Sequence, residues 1–133
     1  MVDIESQVYT RVANAIKARY PKCKCQSMTV LAPTQFPFVC LEEADNYAYR
    51  ATNDSGDEKF SQVMYECNIF SNSPTKSKSE CKAIQAIVDT EMAAMGFLRI
   101  TRQPMPMTGE PVTYRLVSRY RGVVGNDETI YRR

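Results

Sequence analysis

The fold is decided by the stretch Tyr65-Glu66-Cys67-Asn68-Ile69-Phe70-Ser71-Asn72-Ser73-Pro74 and by the segment after it, which ends at Met95-Gly96-Phe97. Its first six residues alternate as in a half-buried strand, and the polar residues up to Pro74 break that pattern. Apolar residues then recur at steps of three and four, which indicates an amphipathic helix. These positions are Cys81, Ile84, Val88, Met92 and Met95. The stretch therefore predicts a strand, a break and a helix, and it contains no catalytic motif.

Another helix and four more strands are predicted around this segment. The first helix begins after Asp3, which can cap it, and ends at Tyr20, because Pro21 disfavours helical geometry in the residue before it. The second helix covers 75–95, and Gly96 is the left-handed residue that closes it. The strands are predicted at 23–31, 36–43, 60–70, 97–103 and 112–124, the last two as an antiparallel pair. The predicted order is α-β-β-β-α-β-β.

The composition predicts a single globular domain over residues 1–133, with 44% hydrophobic and 24% charged residues. A net charge of +2 and a pI of about 8.3 argue against a dedicated DNA-binding domain. No secretory signal follows Met1, and no apolar run approaches the roughly 20 residues of a membrane span, so we expect folding in the cytoplasm and no membrane partner. The five cysteines, an odd number, indicate reduced and mostly buried thiols.

Few residues are candidates for catalysis. The chain has no histidine, the commonest general base and metal ligand, and its five glycines are too scattered for a phosphate-binding loop. On a strand, the spacing Cys23-x-Cys25 differs from the C-x-x-C of zinc sites and is interpreted as two half-buried thiols. The carboxylate pairs Glu42-Glu43 and Asp54/Asp57 are interpreted as solvated charges. We predict no catalytic residue, no cofactor and no metal, and hence no enzyme.

A long acidic connection is predicted over 42–57, because this region is weakly patterned and rich in Asp, Glu and Asn. Connections longer than about 12–15 residues are unusual in compact domains and are often functional or mobile. Two interpretations stay open. The connection is either a solvated loop without a role or a partner-binding loop, in which Tyr47 and Tyr49 are aromatic anchors in polar surroundings.

The C-terminal part of the chain is basic, opposite in sign to that connection. Arg115, Arg119 and Arg121 fall on one face of the last predicted strand and form a stripe, and a short basic aromatic tail at 125–133 follows. The stripe can contact nucleic-acid phosphates or the acidic loop of a neighbouring copy, and a near-neutral chain favours the second. The candidate interface residues are Glu42, Glu43, Asp45, Tyr47, Tyr49, Asp54, Asp57, Arg115, Arg119, Arg121, Tyr131, Arg132 and Arg133.

The chain resembles the small phage tail terminator family, also called tail-completion or minor capsid proteins. The resemblance spans nearly the whole sequence, and none of its motifs is diagnostic by itself. The residues that carry it are Phe36-Pro37-Phe38-Val39, Tyr65-Glu66-Cys67-Asn68-Ile69-Phe70-Ser71-Asn72, Lys82, Met95-Gly96-Phe97-Leu98-Arg99, Tyr114-Arg115, Arg119-Tyr120 and Ile130-Tyr131-Arg132-Arg133.

This resemblance implies an α+β fold in which a mixed, mostly antiparallel sheet carries two helices. It also implies a ring, with six subunits, that caps the tail tube at the tail-head junction of the virion, stops tube polymerisation and presents a docking surface to the head. The implied partners are other copies of the chain, the major tail tube protein, the head-completion protein and, if the tail is contractile, the tail sheath; DNA is passing cargo. By the same analogy, the loop at 42–57 faces the tube or another subunit, and the C-terminal tail reaches a neighbour.

Two other functions remain open. Head-to-tail connector proteins of the phage neck, stoppers or adaptors, share part of the pattern. A small cytoplasmic α+β enzyme or regulator has the same order of elements, although no catalytic set is visible in the sequence.

Overall fold

The structure is a computed structural model that describes residues 3–28, 33, 35–48, 60–105, 113–125 and 130–131; the side chains at 47, 48, 60, 130 and 131 lie outside this description. These residues form, in order, α1 (Glu5–Arg19), β1 (Lys24–Gln26), β2 (Phe38–Ala48), β3 (Phe60–Ser71), α2 (Ser77–Met95), β4 (Leu98–Met105), β5 (Tyr114–Gly125) and β6 (Ile130–Tyr131). The predicted α+β class is confirmed, and the order of elements agrees except for β6.

The strands form one mixed sheet in the order β1-β2-β3-β5-β4. β1 and β2 are parallel, and the other neighbours are antiparallel, including the predicted β4–β5 pair. β6 pairs with the end of β5 at Val123 and Val124. β3 pairs with one edge of β5 along its whole length. β6 therefore pairs with the other edge, which it shares with β4.

Both helices pack on the same face of the sheet and share one core with it. α1 buries Val8, Val12 and Ile16, which recur at the helical spacing. The facing side of β3 buries the four alternate residues that the strand pattern predicts. These are Val63, Tyr65, Cys67 and Ile69. The opposite face of the sheet has a smaller apolar cluster of Phe38, Cys40 and Phe70.

The end of α2 follows the prediction closely. Gly96 has a φ of 101°, which is the left-handed conformation that favours glycine. Its N–H donates to the Ala93 carbonyl at 3.0 Å, and the Phe97 N–H donates to the Met92 carbonyl at 2.9 Å, so two carbonyls of the last helical turn are satisfied. Phe97 then packs its edge against the ring of Tyr65, with the centroids 5.3 Å apart. This turn places the start of β4 beside the core.

Three expectations about strands and loops are wrong. The predicted acidic connection is not a loop at its beginning, because β2 continues to Ala48. β3 supplies a backbone partner for most of these residues, and ladder hydrogen bonds outweigh the weak strand propensity of acidic side chains. β1 is only three residues long, because it pairs with just the first three residues of β2. The C-terminal tail predicted at 125–133 contains a strand that was not predicted, since Ile130 and Tyr131 pair with the same chain's β5.

Candidate interaction surfaces

The arginine stripe lies on the sheet face opposite the helices. In the β3–β5 ladder, Arg115 is opposite Phe70, Arg119 is opposite Glu66, and Arg121 is opposite Met64. Directly paired residues project to the same face of a sheet, so the three arginines share their face with these β3 residues. The predicted stripe is therefore present. No helix of the described part of the chain packs on it, because α1 and α2 both share the core on the other face.

Two of the three arginines are already held within the subunit. Arg119 makes an ion pair with Glu66 at 3.1 Å. Arg115 donates from Nε to Asn68 Oδ1 at 2.9 Å, and its guanidinium lies 5.5 Å from the centroid of the Phe70 ring. Asn68 joins the two arginines, since its Nδ2 donates to Glu66 Oε1 at 3.1 Å. This network rigidifies the centre of the stripe.

Arg121, at the end of the stripe, is different. No ion pair of the described residues includes it, and its Nε is buried without a hydrogen-bond partner there. Its neighbour in the β4–β5 ladder is Leu98, an apolar side chain that remains 48% exposed. A cation beside exposed apolar surface is typical of the centre of an interface, where arginine is enriched.

A hollow of about 310 Å³ opens on the same face where β2 has a bulge between Glu43 and Asp45. The hollow contains carboxylates of Asp45 and Glu66 as well as Arg119, so both signs of charge meet there. Its lining residues are Ala44, Asp45, Met64, Tyr65, Glu66 and Arg119.

The bulge separates the acidic residues that the sequence groups together. Glu42 is opposite Glu66 and Asp45 is opposite Met64, so both lie on the face of the arginine stripe. Glu43 is opposite Tyr65 and lies on the helix face. The acidic residues of β2 are therefore divided between two surfaces.

On the helix face, Glu43 meets the beginning of α1. The Glu43 N–H donates to Glu5 Oε2 at 2.7 Å, and the Glu5 N–H donates to Asp3 Oδ1 at 3.1 Å. Among the residues that the structure describes, no basic side chain pairs with any of these carboxylates. We call Asp3, Glu5 and Glu43 the acidic corner.

The acidic corner is electrostatically unfavourable in the isolated subunit. Burial raises the pKa of Glu43, and the negative charges of Glu5, Asp3 and Asp45 raise it further, although a hydrogen bond from Asn46 opposes the shift. Like charges without a counterion repel each other, and the partial burial of Glu43 weakens the screening by water.

The hydroxyl of Tyr65 lies next to the acidic corner. Tyr65 is 1% exposed, and its hydroxyl has no hydrogen-bond partner among the described residues. Burial raises the pKa of this phenol first, and then the negative charges of Glu43, Glu5 and Asp3 do so. A buried polar atom without a partner costs free energy and requires an explanation.

A second polar cluster joins α2 to the sheet, and sequence reasoning missed it. The Tyr120 hydroxyl donates to Asp89 Oδ1 at 2.5 Å, and Gln85 Nε2 donates to the same oxygen at 2.9 Å. Arg99 pairs with Asp89 Oδ2 at 2.6 Å. The only signal in the sequence is a glutamine on the apolar face of the helix. The polar groups of this cluster form hydrogen bonds and an ion pair with one another. We therefore infer that the cluster holds β4 and β5 against α2.

The five cysteines are all buried and none of them forms a disulfide, as the sequence predicts. Cys23 and Cys25 lie side by side, and a hydrogen bond from the Cys23 thiol lowers the pKa of Cys25. The described residues contain no group of three or more His, Cys, Asp or Glu placed to hold a metal ion.

The structure does not describe the side chains of several candidate interface residues. Tyr47 is paired with Gln62 and Tyr131 with Val123 through the backbone, but the orientation of both rings is outside the description. The candidates outside the described residues altogether are Tyr49, Asp54, Asp57, Arg132 and Arg133.

In the described ranges, neither α1 nor α2 is long and apolar enough to cross a lipid bilayer. No protein-family model matches the chain, and no curated protein matches it.

Proposed function

We propose that this protein caps a phage tail tube as a ring of identical subunits, stops polymerisation of the tube, and provides the surface on which the head docks. Its partners are other copies of the chain, six to a ring, the major tail tube protein and the head-completion protein. The proposal begins from the resemblance to tail terminators. The α+β fold, with two helices on one face of a mixed sheet, agrees with what that resemblance implies.

One observation carries the proposal: the acidic corner and Arg121, a cation without an ion pair among the described residues, lie on opposite faces of the same sheet. The acidic corner lies on the helix face, and the stripe that ends at Arg121 lies on the other. A closed head-to-tail ring requires two different surfaces that complement each other on every subunit, whereas a two-fold dimer uses one surface twice. The distribution of charge therefore favours a ring.

The test is negative-stain electron microscopy of particles made when the gene is deleted from the phage that encodes it, with the wild-type gene supplied on a plasmid as control. A terminator limits tube growth, so the deletion is expected to yield over-long tubes without heads. The plasmid copy is expected to restore normal tube length.

Other outcomes would contradict the proposal. Tails of normal length beside filled but unjoined heads would move the role to a neck connector. Normal particles would eliminate both structural roles and leave an enzyme or regulator of the host cytoplasm.

A further inference from the structure

We infer that the acidic corner of Asp3, Glu5 and Glu43, together with the Tyr65 hydroxyl, is the receptor for the guanidinium of Arg121 from a second copy of the chain. The inference rests on the proposed ring and names the residues that join its subunits.

The receptor side combines negative charge with an unused hydrogen-bonding group. Three carboxylates lie at this corner, where those of Asp3 and Glu5 each accept a backbone N–H, and no basic side chain of the described residues pairs with any of the three. An acidic cluster alone is a common surface feature. Here the adjacent Tyr65 hydroxyl is buried and has no hydrogen-bond partner in the part of the chain that the structure describes, although nearly all buried polar groups find a partner.

The chemistry of the corner selects a basic side chain. A guanidinium has five N–H donors in a planar fork, so it can bond to carboxylate oxygens that are separated from one another. A bare metal ion fits less well, because the described residues contain no three carboxylates, thiols or imidazoles close enough to share one. Binding of a cation would also relieve the repulsion that, in addition to burial, raises the pKa of Glu43.

The ligand side is Arg121, since it is the member of the stripe that forms no ion pair with another described residue and whose Nε has no hydrogen-bond partner among them. Arg119 is paired with Glu66, and Arg115 is held by Asn68 and Phe70. Arg121 lacks an ion pair in the described part of the chain, its Nε is unpartnered, and the exposed Leu98 lies beside it.

A contact within one subunit is ruled out by the register. Arg121 is opposite Met64 on the stripe face, whereas Glu43 is opposite Tyr65 on the helix face. The two groups therefore meet only when the stripe face of one copy approaches the helix face of another. Such a heterologous contact leaves one receptor and one arginine free at the ends of an open chain, and both are used when the ring closes.

The test is a charge-swap cycle on the full-length protein, followed by sedimentation velocity over a range of concentrations. Asp3→Lys and Arg121→Glu are each expected to weaken self-association at least tenfold. Asp3 is exposed, so its replacement leaves the core intact. The double variant has a lysine at position 3 and a glutamate at position 121, so the two positions again have opposite charges. Its self-association is expected to regain most of the affinity that the single variants lose.

Two matched controls separate this contact from general effects of charge. Lys82→Glu and Glu91→Lys make the same changes of charge on α2, at residues that belong to neither the acidic corner nor the arginine stripe, and they are expected to associate like the wild type. Tyr65→Phe is a third test that keeps the net charge and the packing, and it is expected to weaken association with no loss of stability.

The inference would be overturned if both single variants self-associated like the wild type. It would also be overturned if the double variant lost as much affinity as the two single variants together. A wild type that stays monomeric at all concentrations would also overturn it. The proposed function is judged separately, because the tube lengths of the deletion strain do not depend on which residues join the subunits.

Discussion

Glu43 of β2 and Tyr65 of β3 are direct partners across the antiparallel ladder, and the buried hydroxyl of the tyrosine has no hydrogen-bond partner within the described ranges. Burial and negative charge raise the pKa values of both groups. Local instability of this kind is common at functional sites, where binding of a partner relieves it.

Removal of the Tyr65 hydroxyl is expected to leave the isolated subunit as stable as before or to stabilise it by less than about 1 kcal/mol, because the hydroxyl bonds to no other described residue. Tyr120→Phe is the matched control. Its hydroxyl bonds to Asp89 and Gln85, so its loss is expected to cost about 1–3 kcal/mol. Urea unfolding of both variants measures the difference. Equal destabilisation by the two substitutions would show that the Tyr65 hydroxyl has a partner.

Glu43→Gln is expected to raise the free energy of unfolding at neutral pH. A carboxyl whose pKa is raised in the folded state binds a proton more tightly there than in the unfolded chain, so its ionised form lowers stability above that raised pKa. The penalty disappears as the pH falls through the raised pKa to the ordinary value of 4.5. The stabilisation by Glu43→Gln should disappear over the same range.

Urea unfolding at a series of pH values measures this effect, with Glu91→Gln as the control. Glu91 pairs with Arg11 in an exposed position, so its replacement is expected to cost less than about 1 kcal/mol. A Glu43→Gln variant that is less stable than the wild type at neutral pH would contradict the unfavourable electrostatics of the acidic corner.

Gly122→Ala is expected to destabilise the fold by about 1–3 kcal/mol. A Cβ at residue 122 would lie 2.5 Å from Cδ1 of Phe97, and Phe97 cannot withdraw freely because it packs against Tyr65. Thermal unfolding measures the loss. Phe97→Leu in the same background provides the control, since a smaller side chain at 97 should recover part of the stability; no recovery would mean that the clash lies elsewhere.

Alkylation of the native protein is expected to modify Cys25 first. Cys25 is 7% exposed, and the hydrogen bond from Cys23 lowers its pKa, whereas burial raises the pKa of Cys81 to about 12. Brief treatment with iodoacetamide followed by peptide mass mapping identifies the order of labelling. Early labelling of Cys67 or Cys81 would mean that the core opens more readily than its packing indicates.

The sequence predicts the parts of the fold that local patterns determine. β3, α2 and the left-handed Gly96 follow from the alternation of apolar residues, the helical period and the needs of a helix end. β2 is longer than predicted because its acidic half is stabilised by pairing with β3, a contact between distant parts of the chain. The pairing of β6 with β5 is likewise nonlocal.

The acidic corner could not be predicted from sequence patterns, for two reasons. Glu5 and Glu43 are 38 residues apart and meet only in the folded chain. In addition, strict alternation would place Glu43 and Asp45 on the same face of β2, but the bulge between them puts them on opposite faces. The arginine stripe was predictable, because β5 is regular along its whole length.

The most direct test of the proposed function is the length of tubes that the phage's major tail tube protein forms in vitro with and without this protein. The account predicts that substoichiometric amounts of the purified chain stop elongation and appear as a ring at one tube end in electron micrographs, whereas the Arg121→Glu variant does so poorly. Tubes that grow equally long with and without the wild-type chain would contradict it.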